Sequence, residues 1–148
     1  MPGSSALNTL RTNLQTQLEA RENLTGVPVS RFRPGPADIE GVEHIWFGRA
    51  SGDVDHGSVG FREDVIELEI TVRVTRPGGS DTAADAAEDR ALALWAEIEA
   101  QLVGDPTVNG ACLTWNQMTY TADIAPGENE WVYELTTTVA FETELANT

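Results

Sequence analysis

Residues 65–76 alternate without a break. Ile66, Leu68, Ile70, Val72 and Val74 fall on one face of an extended chain, and Glu67, Glu69, Thr71, Arg73 and Thr75 fall on the other. Strict alternation over ten residues specifies a β-strand with one face buried and one face wet or shared with a polar partner. The fold must therefore supply an apolar layer to one side of this strand.

Two segments have the period of helices. Over residues 5–22, Leu7, Leu10, Leu14 and Leu18 recur at intervals of three and four, Ser4 or Ser5 is available as a cap, and Gly26 and Pro28 stop the run. The second helix follows Pro77-Gly78-Gly79, capped by Ser80, Asp81 or Thr82. Asp81, Asp85, Glu88 and Asp89 lie near its positive N-terminal end. Its stripe is Ala84, Ala87, Ala91, Leu94 (with Trp95), Ile98 and Leu102, with small residues early enough to let a sheet approach closely. Gly104 supplies the stop, with Asp105-Pro106 just beyond.

The remaining segments are extended. A short piece, Val27 to Phe32, ends at Pro34-Gly35-Pro36, and Val42 to Phe47 reads as a strand. Gly48 to Arg62, rich in Gly, Asp and Ser, reads as a long exposed loop. Leu113 to Ile124 and Trp131 to Leu145 form a closing hairpin around Pro126-Gly127-Glu128-Asn129. On its second strand Trp131, Tyr133, Leu135, Val139 and Phe141 share a face opposite Glu134, Thr136, Thr138, Glu142 and Glu144. The order is α, β, β, β, α, β, β. It specifies an α+β fold, a mainly antiparallel twisted sheet with two helices packed on one face. At 148 residues the chain fits a single domain, 1–148.

Charge narrows the function classes. There are 24 acids and nine bases, all nine of them Arg, for a net −15. Residues 1–36 carry four Arg and two acids, a balance of +2, and residues 37–148 carry five Arg and 22 acids, a balance of −17. Such a surface does not adhere to phosphate backbones, because that affinity comes from Lys and Arg displacing counterions. It keeps copies soluble, or keeps the chain near polyanions without sticking. No stretch approaches the ~20 apolar residues of a membrane span, and the first residues lack the basic and apolar regions of a signal peptide. Cys112 is the sole cysteine, which excludes an intramolecular disulfide and a cysteine-based zinc site.

Catalytic chemistry finds little support. His44 sits in an apolar run, the setting of a hydrogen-bonded structural histidine. His56 follows Asp53 and Asp55, and carboxylates with an imidazole suit Mg²⁺, Mn²⁺ or Zn²⁺, but the spacing matches no calcium loop or zinc helix. Cys112 stands at the start of a strand, where a small buried thiol is the ordinary case. There is no nucleophile elbow, dinucleotide fingerprint or phosphate-binding loop; Pro77-Gly78-Gly79-Ser80 lacks the Lys and the spacing. Glu67 with Glu69, and Glu142 with Glu144, repeat at i, i+2 as on any solvated strand face. No catalytic residue, cofactor or metal is assigned.

What remains is surface. Trp46, Trp95 and Trp131 fit core stripes, whereas Trp115 shares its face by alternation with Gln117, Thr119 and Thr121 and is a candidate interface anchor. An Arg-bearing N-terminal third and an acidic remainder suit head-to-tail contact between copies, closing a ring. The candidate interface residues are Arg31, Arg33, Arg49, Asp53, Asp55, His56, Arg62 and Trp115, with the loop Gly48–Arg62 the foremost contact segment by exposure and length.

The order of these segments also has a family flavour. A leucine-spaced opening helix leads to Ile45-Trp46-Phe47-Gly48, the loop Gly52-Asp53-Val54-Asp55-His56, Gly60-Phe61-Arg62-Glu63-Asp64 and the long strand from Val65. The Ala-rich helix from Ala83 to Leu102, Asp105-Pro106-Thr107-Val108 and the final hairpin complete it. Over nearly the whole chain this resembles the tail terminator (tail completion) proteins of long-tailed bacteriophages. The resemblance implies a structural virion protein without catalytic residues. It implies a hexameric ring on the last ring of tail tube, stopping polymerisation and docking to the head-closure or connector protein, with DNA passing through the lumen. It places the chain in the virion at the head–tail junction, and in the host cytoplasm during assembly. The alternatives are another head–tail neck subunit, such as the head-closure protein, or a monomeric metal- or ligand-binding domain using Asp53, Asp55 and His56.

Overall fold

The alternating segment is the middle strand of a five-stranded sheet. The structure, a computed structural model, describes residues 4–35, 43–54 and 63–143. Its elements are α1 (Ser4–Glu19), a short 3-10 turn (Glu22–Leu24), β1 (Val29–Ser30), β2 (Glu43–Val54), β3 (Glu63–Pro77), α2 (Asp81–Gly104), β4 (Thr114–Gly127) and β5 (Glu130–Glu142). The spatial order is β1-β2-β3-β5-β4. β1 runs parallel to β2, and the other neighbouring pairs are antiparallel. This is the α+β architecture with the element order read from the sequence.

Register puts the apolar residues on the helix side. Ile45, Val72 and Leu135 lie opposite one another across β2, β3 and β5, as do Phe47, Ile70 and Thr137. From the first helix Leu10, Leu14 and Leu18 are fully buried against this layer. From the second come Ala87, Ala91, Leu94, Trp95, Ile98 and Leu102. Each buried Leu or Ile contributes about 1.5–3 kcal/mol relative to exposure. Ser80 is the N-cap of α2: its backbone is extended and its hydroxyl accepts the Ala83 N–H at 3.3 Å. The caps expected of Ser4 and Ser5 lie outside the described side chains.

The predicted loop from Gly48 is corrected in its first half. β2 continues to Val54, paired with β3 through register shifts between Phe47 and Ala50 and between Gly52 and Val54. The glycines that read as loop are strand glycines at irregularities. A Cβ on Gly52 would meet the Val65 carbonyl oxygen at 2.8 Å, so the strands approach there only because that position is bare. Residues 55–62 lie outside the described residues.

Two further expectations change. α2 ends at Gly104 as expected, but without the left-handed backbone of a glycine cap. Asp105 is the C-cap, and its carboxylate accepts from the Asn109 N–H at 2.8 Å, the Thr107 hydroxyl at 2.9 Å and the Gln17 amide at 2.8 Å. This knot ties the turn after α2 back to α1. The hairpin closes on two residues, Glu128 and Asn129, since Gly127 pairs with Glu130; Asn129 takes the left-handed φ of 59°.

Candidate functional site

Three surface regions stand out, and two of them carry residues singled out from the sequence. The first lies where the chain leaves β1, on the face of the sheet away from the helices. His44, Trp46 and Arg73 point to that face, because their neighbours Ile45, Phe47 and Val72 point to the core. Trp46 is only 1% exposed yet stands apart from the helix-side core, which corrects its assignment to a core stripe. Arg33 covers it, with the guanidinium carbon 5.3 Å from the ring centroid. His44 meets Trp46 edge-on at 5.5 Å, and the Ser30 hydroxyl lies 2.9 Å from His44 Nε2. Burial, then the charge of Arg73, holds the His44 imidazole below its ordinary pKa and so favours its neutral form.

At the same corner Phe32 is 56% exposed. The Arg11 guanidinium stacks 4.7 Å from its centroid and also donates to the Gly48 carbonyl at 3.4 Å. Arg31 and Arg33, on either side of Phe32, are exposed. Among the described residues neither forms an ion pair, and nor does Arg49.

The second region is a shallow cavity of about 230 Å³ on the polar sheet face, lined by Arg49, Ser51, Glu67, Glu69 and Thr138. It brings a candidate Arg beside two acids of the alternating strand.

The third is a groove of about 340 Å³ between α2 and the β4–β5 edge. Trp95, Tyr133 and Leu135 form its floor, the exposed Leu92 (48%) and Tyr120 (66%) its walls, and Glu88 its rim. Burial pushes the Tyr133 phenol above its usual pKa, aided by the charge of Glu88 and a hydrogen bond with it. Sequence reading missed this groove. Its signals were Leu92, an apolar residue off the buried stripe of α2, and Tyr120, placed by the register of β4.

Trp115 belongs to none of these. Its indole N–H donates to the Leu102 carbonyl at 2.9 Å, and its ring packs partly buried against the core. The expected face is corrected as well. A register shift between Gln117 and Thr119 sends Trp115 and Gln117 to the helix side and Thr119 and Thr121 to the other. One inserted residue reverses every side chain beyond it.

The structure therefore sets Arg33 over Trp46, leaves Arg31 exposed two residues before Arg33, keeps Arg49 on the same sheet, and places Trp115 apart from them against Leu102. Asp55, His56 and Arg62 lie outside the described residues, as does the Asp53 side chain, so the Asp53-Asp55-His56 metal reading lies there too. Among the described residues no group of three or more His, Cys, Asp or Glu side chains is arranged to hold a metal ion. Cys112 is buried, and its thiol is pushed up to about 11 by burial first and the charge of Asp105 second, which removes its nucleophilic form near neutrality. No described helix is long and apolar enough to cross a membrane.

No protein-family model matches the chain, and no curated protein is similar to it in sequence. Among solved structures it matches a chain in the virion of a native gene transfer agent particle. The match covers 90% of this chain and 94% of that one, with a TM-score of 0.56 and 20% identity. At that identity the match establishes a shared fold.

Proposed function

We propose that this protein is a structural subunit of a phage-like virion, and within it a tail terminator: a ring that caps the tail tube, stops its polymerisation and joins it to the head-closure or connector protein. The observation that carries the proposal is the end-to-end fold match to a chain of a gene transfer agent virion, nearly complete in both directions. The charge supports it. Six copies at −15 each carry about −90, so a ring of them repels DNA moving through its lumen instead of binding it. The surface chemistry supports it as well, because the exposed features are paired aromatic and charged patches of the kind that interfaces use.

The competing assignment within the same class is a head-side neck subunit. Polymerising the cognate tail-tube protein with and without this chain separates them by electron microscopy. A terminator gives short tubes capped at one end by an added ring. Tubes that grow to the same length, with the chain bound only to the connector, overturn the terminator assignment in favour of the head-side one.

A further inference from the structure

Two features at opposite edges of the sheet are complementary, and one molecule cannot join them. Phe32, exposed with Arg11 stacked on its ring, stands just past the β1 edge and lies between Arg31 and Arg33 in sequence. The apolar groove of Leu92, Trp95, Tyr120 and Tyr133 lies at the β4 edge. Four strand spacings separate these edges, roughly 19 Å.

We propose that the Arg31-Phe32-Arg33 corner of one copy seats in the α2–β4 groove of the next, the phenyl ring on its floor and the Arg31 guanidinium against Glu88 at its rim, while Arg33 stays on Trp46. The proposal rests on the ring assignment above and names the contact that builds the ring.

Shape, charge and position argue for a second copy as the occupant. The groove, at about 340 Å³, is near the lower limit for small-molecule pockets, a size suited to one aromatic side chain. Glu88 rims it, and Glu99, eleven residues on, shares the helix face of Glu88, Leu92 and Trp95; both acids are exposed. Arg31 and Arg33 form no ion pair among the described residues, so the basic corner and the acidic rim each leave charge for the other. Phe and Arg are both enriched at interfaces, and Arg is among the residues that dominate their energetics.

The edges differ in a way that favours a head-to-tail joint. At β1 the Gln15 amide donates to the Val29 carbonyl at 2.8 Å and α1 packs alongside, whereas β4 pairs among the described strands only with β5. A contact between two different patches generates a ring when its rotation closes.

Two variants test the joint, Phe32→Ser at the corner and Leu92→Arg in the groove. Both side chains are exposed, so circular-dichroism melts are expected to match wild type. In sedimentation velocity each variant alone should associate at least about tenfold more weakly than wild type, a loss of about 1.4 kcal/mol. A mixture of the two should form a 1:1 dimer and nothing larger, because it contains one intact corner and one intact groove. Either variant closing wild-type rings overturns the contact and leaves the ring assignment standing. So does a symmetric dimer insensitive to both substitutions, the result expected of β4 pairing with β4. A wild-type chain that stays monomeric with and without tube protein overturns both.

Discussion

The indole N–H of Trp115 supplies the Leu102 carbonyl with the hydrogen bond that the helix cannot, at 2.9 Å. Four residues beyond Leu102 stands Pro106, which has no N–H, so the last turn of α2 would otherwise leave this carbonyl without a partner. The edge strand β4 is thereby fastened to the helix that covers the sheet.

Trp115→Phe keeps the ring and removes the donor. It should cost about 0.5–1.5 kcal/mol and lower the melting temperature by roughly 2–4 °C while leaving assembly unchanged. A variant that melts like wild type but fails to associate would restore Trp115 as an interface anchor.

Glu43 joins three elements. It stands on β2 and receives Arg90 of α2 at 2.7 Å and Arg76 of β3 at 2.8 Å. The Arg90 hydrogen bond, outweighing desolvation and helped by Arg76, holds its carboxyl below the usual value of 4.5. A depressed carboxylate stabilises the fold above the unfolded pKa, and that contribution disappears as pH falls through the folded one. Glu43→Gln should destabilise at pH 7 by about 1–3 kcal/mol, and the difference from wild type should shrink below pH 4.5 in urea titrations. An equal difference at pH 7 and pH 3 would contradict the ion-pair account.

His44 adds an earlier acid effect. Its pKa lies below 6.5 in the fold, so both states are neutral above that value and the unfolded chain binds the proton first below it. Its Nδ1 is buried without a partner among the described residues, and Arg73 repels a proton there. Stability should begin to fall as pH drops below 6.5, and His44→Gln should flatten the profile between pH 6.5 and 5. An unchanged slope in melts at half-unit steps would refute this.

Cys112 should be inert in the native protein. With its thiol at about 11 and its Sγ 3.4 Å from the Pro106 carbonyl, only about one thousandth is thiolate at pH 8. Iodoacetamide labelling followed by mass spectrometry should be slow at pH 8 and fast in urea. Native labelling at the rate of a free thiol would show that the turn opens.

Much of the fold was legible because burial is one-sided. The alternation over 65–76 named the central strand and its inner face, and the stripe from Ala87 to Leu102 named the helix above it. What escaped depends on contacts between distant residues. Gly52 reads as loop, since a glycine demanded by close approach to Val65 looks like one demanded by a turn. The face of Trp115 was misjudged because an inserted residue near Met118 leaves no mark in local composition. Trp46 read as core because a Trp in an apolar run gives no sign that Arg33 covers it from the other side. For the candidate site, the basic corner at Arg31 and Arg33 was visible in the charge count. Its complement was not, because the groove is assembled from α2, β4 and β5 together.

Assembly of this chain into a ring on the tail tube is the step on which the proposed function depends. Native mass spectrometry over a concentration series, with and without tail-tube protein, tests it most directly. The expected result is a discrete six-subunit species, formed alone or on addition of tube protein. A strict monomer at every concentration, indifferent to tube protein, would contradict it.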